Sequence, residues 1–125
     1  MTLSKTLLHA LLLFTLSFSL QAADNPESIK LALEQTVAKL TEAVAAVDKG
    51  EDAKKVAEMI VEARQLQKGI STSDSKVSVK RSQSNHSLVL ARNSLLDGDL
   101  KAGAAQLKEA LAGYQEVKEK FAAAH

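Results

Sequence analysis

The chain has 125 residues, enough for one domain and too few for two ordinary ones. It contains no cysteine, which excludes a disulfide framework and thiolate chemistry. Its 16 basic residues, less Lys5 near the start, balance its 15 acidic ones, so net charge offers no case for nucleic acid or an anionic membrane as partner.

Residues 1–22 read as a cleaved secretory signal peptide. Lys5 supplies a positive start, "LLHALLLFTLSFSL" (7–20) is an apolar run, and "QAAD" (21–24) offers small residues for cleavage after Ala22 or Ala23. The apolar run is short and wrongly flanked for a stable membrane span, and no cysteine follows it for lipid attachment. The expected location is the periplasm, with no membrane anchor after cleavage and residues 23–125 left as one domain. In that domain only Tyr114 and Phe121 are aromatic, too few for a base-stacking platform.

A first helix begins at "ADNP" (23–26), where Asn25 can cap and Pro26 suits the first helical position because its missing N–H has no intrahelical partner to lose. Ile29, Leu33, Val37, Leu40, Val44 and Val47 follow at steps of three and four, one apolar stripe. Gly50 stops it and Asp52 is placed to cap a second helix, whose stripe is Val56, Ile60, Ala63, Leu66 and Ile70, widened by Met59. "GISTSDSKVS" (69–78) reads as a link, since its Gly, Ser and Thr compete with helix through local hydrogen bonds. A third helix is expected from about Val77 to Leu96, with Leu88, Ala91 and Leu95 inward. Gly98 ends it, Asp99 caps a fourth, and Leu100, Gly103, Leu107, Ala110, Tyr114, Val117 and Phe121 repeat the spacing.

"VDKGEDAKK" (47–55) is thus echoed by "LLDGDLKAG" (95–103). Beyond each glycine Lys54, Ala57, Ile60, Glu62 and Ala63 match Lys101, Ala104, Leu107, Glu109 and Ala110 at a constant offset. Both a duplicated hairpin and the common grammar of bundle helices account for this. The unit is far longer than the roughly 34-residue tetratricopeptide repeat, which its "GD" and spaced Ala, Leu and Tyr otherwise imitate. Each hairpin carries an apolar stripe that only the other can cover. The expected fold is all-α, an antiparallel up-down-up-down four-helix bundle made of two helical hairpins.

Little in the chain suits catalysis, and a non-enzymatic role is expected. His86 lies among serines (71–87), but no acid follows at a spacing that would orient an imidazole, and Gly50 and Gly98 stand alone rather than in a phosphate loop. His86 is the one non-terminal imidazole of the domain and so the candidate metal ligand, although its spacing from Leu88 turns it towards solvent. Met59 sits on an apolar stripe, where a core filler is expected.

The third helix is less ordinary. Read back from Leu95, its inward stripe runs Ala91, Leu88, Ser84, Arg81, Val77, turning polar in the half that adjoins Gln67, Ile70, Ile29, Leu33, Tyr114 and Phe121. A guanidinium there must reach solvent, pair with an acid such as Glu34, or meet a ligand. Arg81, Ser84, Tyr114 and Gln67 are therefore the candidate ligand-binding residues. The opposite half, lined by Val44, Val47, Val56, Met59, Ile60, Leu95, Leu100 and Leu107, reads as a conventional core.

With its leader, four amphipathic helices and a long middle link, the chain resembles the periplasmic four-helix bundles of the soluble b-type cytochrome and cytochrome c-prime kind, "DGDLKAGAAQLKEALAGYQEVKEKF" (97–121) being similar in style to the last helix of the former. That resemblance implies haem, against which the residues argue. "GYQEVKEKF" has no histidine and "PESIKLALEQ" no methionine where the b-type ligands stand, and C-x-x-C-H is missing for the c-prime type. The hairpins are also similar to a small periplasmic metal-binding family of repeated helical hairpins, which implies copper or another divalent metal held by histidines. The expected function is that of a periplasmic binding or accessory protein, its partner another protein or a small ligand; the alternative is a metal-binding protein that has lost most of its histidines.

Overall fold

The computed structural model describes residues 25–125. The expected signal peptide and its cleavage site lie outside the described residues. Among the described residues four helices follow one another: α1, Pro26–Asp48; α2, Ala53–Gln67; α3, Ser75–Leu96; and α4, Leu100–Ala124. None is long and apolar enough to cross a membrane.

Local chemistry sets the helix ends. The Asn25 side chain accepts from the N–H groups of Glu27 and Ser28, with Pro26 entering behind it. α1 and α3 then close identically. Gly50 and Gly98 adopt φ of +79° and +86°, the left-handed region that a Cβ disfavours. Each donates to the carbonyl three residues back, Val47 and Leu95, while the next N–H, of Glu51 and Asp99, reaches Ala46 and Ser94. Two Schellman motifs account for the echo in the sequence. The Asp99 side chain caps α4 by accepting from the Ala102 N–H at 3.1 Å. Asp52, expected to do the same for α2, makes no side-chain cap bond. The α3 start also lies earlier than expected, at Ser75, because Asp74 accepts from the N–H groups of Lys76 and Val77.

The helices form a four-helix bundle: α1 packs on α2 and α4, and α3 on α2 and α4, with α3 against α4 the most extensive contact. α2 and α3, and likewise α3 and α4, run antiparallel, as cross-helix pairs show. Arg64 meets Asn85 while Gln67 meets Arg81, and Ser94 bonds Gln106 while Lys80 meets Glu116. One apolar cluster fills the centre, including Leu33, Leu40, Val56, Ile60, Leu88, Leu95, Leu107 and Val117. Small residues let the helices approach. A Cβ on Gly103 would press on the Leu95 side chain, and one on Gly113 would overlap the Ser84 hydroxyl.

Several inward assignments are corrected: on α1 the expected stripe residues Val37, Val44 and Val47 are only half-buried against the core. Leu100 is 50% exposed, because the first residue of α4 stands beyond the last core layer. Leu66 is only half-buried, and its neighbour Gln67 takes the interior position.

Candidate polar site between α2 and α3

Gln67, the last residue of α2, points its carboxamide into the bundle and is 4% exposed. A buried amide needs partners for both ends. Its Oε1 accepts from Arg81 Nη1 at 2.9 Å and from the Tyr114 hydroxyl at 3.0 Å, and its Nε2 donates to the Arg64 carbonyl at 3.2 Å. Tyr114 thus reaches from α4 across the bundle diagonal to α2. Burial holds the Tyr114 proton well above the ordinary phenol range, and the charges of Arg81 and Arg64 offset only part of that effect.

Three of the four residues expected to line a ligand site, Arg81, Gln67 and Tyr114, therefore meet, and they bond to one another. Ser84 stands apart. It is buried, its hydroxyl donates to the Lys80 carbonyl of its own helix at 2.8 Å, and it packs on Gly113. Nor is the surrounding half of the bundle an open cavity, because Ile29, Leu33, Ile70, Val77, Val117 and Phe121 are buried there in the same apolar cluster as the rest. Among the described residues, no buried side-chain nitrogen or oxygen lacks a partner. Arg81 is half-buried, and its partner is an amide rather than the Glu34 carboxylate, which is exposed on α1.

Sequence reasoning missed Arg64 and Asn85. Arg64 Nε donates to Asn85 Oδ1 at 3.2 Å, one helical turn along from the Gln67–Arg81 pair. The spacing was the available signal: 64 and 67 lie a turn apart on α2, as do 81 and 85 on α3, and antiparallel packing sets the two pairs opposite one another.

His86 is exposed on α3 beside a shallow groove lined by Gln83, Ser87, Leu90 and Glu109. Ser87 donates weakly to the Gln83 carbonyl and to Glu109, not to the imidazole. Among the described residues, no group of three or more His, Asp or Glu side chains is placed to hold a metal ion. Met59 is half-buried against the core. The His125 ring stacks on Phe121 with centroids 4.3 Å apart.

Comparison of the chain with protein-family models, with curated proteins and with solved structures finds no match.

Proposed function

We propose that the chain is a non-enzymatic periplasmic binding or accessory protein, its bundle a rigid frame that presents polar groups between α2 and α3 to a small ligand or a protein partner. One observation carries this reading: a half-buried guanidinium, Arg81, is held across two helices by a neutral amide, with no carboxylate within ion-pair distance among the described residues. A charge in that position costs desolvation free energy that an apolar side chain avoids. Stability alone does not explain its presence, whereas recognition does.

Arg81→Met tests the proposal. The substitution keeps the aliphatic stem, and Gln67 Oε1 retains the Tyr114 hydroxyl, so no buried acceptor is orphaned. The expected result is a melting temperature equal to or above that of the parent, with loss of whatever species native mass spectrometry finds on the parent protein purified from periplasm. A variant that retains the species, or a parent that carries none, overturns the reading. The same spectrum reports the N-terminus, expected at Ala23 or Asp24; a mass beginning at Met1 removes its secretory part.

A further inference from the structure

The net charge of the domain conceals a segregation. Between Ala63 and Leu96 the chain carries Arg64, Lys68, Lys76, Lys80, Arg81 and Arg92 but one acid, Asp74, and that carboxylate caps α3. No acid stands three or four positions from Arg64, where Ile60, Val61, Gln67 and Lys68 are found, or from Arg81, where Val77, Ser78, Ser84 and Asn85 are found. Both arginines are therefore denied the helical ion pair that usually neutralises such a residue. Across the bundle, Lys80 finds Glu116 and Lys39 finds Glu62, but among the described residues no carboxylate lies within ion-pair distance of Arg64 or Arg81.

Amides take the carboxylates' place. Asn85 receives Arg64 Nε and Gln67 receives Arg81 Nη1, so each guanidinium is oriented through one donor while keeping its full charge and its remaining N–H groups. Both are half-buried, where charge is less screened than at the surface. The nearby phenol stays neutral and adds no counter-charge. A guanidinium fork suits the planar geometry of an oxyanion, and here two stand one helical turn apart on facing helices.

We propose that Arg64 and Arg81 form a clamp between α2 and α3 for an oxyanion, a carboxylate or phosphate group on the bound ligand. The clamp rests on the reading of the chain as a binding protein and names the chemistry that it recognises.

The chain has three arginines, so the side-chain Nε–Hε nuclear magnetic resonance spectrum contains its own control in Arg92. The purified protein is titrated at low ionic strength with inorganic phosphate in one arm and succinate in the other. The expected result is that at least one anion shifts Arg64 and Arg81 along a single saturation curve while Arg92 stays put; the responding arm identifies the oxyanion. Arg64→Gln, whose loss touches only the bond to half-buried Asn85, should keep the parent's melting behaviour and weaken binding by about tenfold or more, and Arg64→Lys should not fully restore it. Failure of both anions to saturate, an equal response from Arg92, or an equal loss in Lys68→Gln overturns the clamp. If that happens while native mass spectrometry still finds an Arg81-dependent species, only the clamp falls and the binding reading stands.

Discussion

Gln67 is the hub of the polar interior: one carboxamide oxygen takes a phenol and a guanidinium from two other helices. The phenol gives the site an optical handle, because Tyr114 is the only tyrosine in the chain. Its proton is held more tightly in the folded state than in the unfolded one, mainly by burial. The neutral form is therefore the one that folding favours. Its stabilising contribution is fully present below the ordinary phenol pKa of about 10 and is lost as pH rises above it. Absorbance titration of the folded protein should show far less tyrosinate than the urea-unfolded chain at the same alkaline pH. Tyr114→Phe should cost about 1 kcal/mol at neutral pH, since Gln67 keeps Arg81, and should flatten the decline in stability above about pH 10 relative to the parent. Equal alkaline slopes in the two proteins would place the phenol in water. The inward positions of Arg81, Ser84 and Tyr114 were legible in the helical spacing, which put Leu66 rather than Gln67 on the inward stripe of α2. Their partners were not, because periodicity tells which face a residue occupies and not which rotamer it adopts.

Among the elements, the two hairpin turns are the most fully specified by sequence. Both glycines have nothing within 4 Å of a built Cβ, so the cost of a side chain there is purely one of backbone conformation. Gly50→Ala and Gly98→Ala should each destabilise by about 1 kcal/mol, and by similar amounts, as read from chemical denaturation. A large difference between them would mean that the two turns are not equivalent despite their shared bonding pattern. The helix faces were less well specified. α1 buries Ala32, Thr36, Ala43 and Ala46 as well as Leu33 and Leu40, leaving Val37, Val44 and Val47 half-buried. A stripe drawn through the largest apolar residues is rotated from the true one, because small residues occupy the line of closest approach. Thr36 is tolerated there because its hydroxyl donates to the Ala32 carbonyl of its own helix at 2.7 Å. α3 exposes Val79 and Leu90 while burying Leu88 and Leu95, and that two-sided distribution blurs its amphipathic signal.

At the scale of the whole molecule, the bundle stands or falls by its common core. Leu107 is fully buried, whereas Lys108 beside it is exposed and reaches Asp48 on α1 at 3.1 Å. Leu107→Asp should cost several kcal/mol, on the order of 3 or more, by placing an unpaired charge among apolar side chains. Lys108→Asp should cost roughly 1 kcal/mol or less, since an exposed ion pair contributes little. Comparable losses in urea melts of the two variants would contradict the inward direction of α4. Helix number, the hairpin turns and the all-α class followed from sequence alone, because caps, left-handed glycines and apolar period are local properties of a few neighbouring residues. The choice between an open polar pocket and a closed network belonged to tertiary structure. It depended on Gly113 giving room to Ser84, on Gln67 displacing Leu66 inward, and on Tyr114 spanning the diagonal. Those contacts join residues far apart in the chain, and only the packing of four helices brings them within reach of one another.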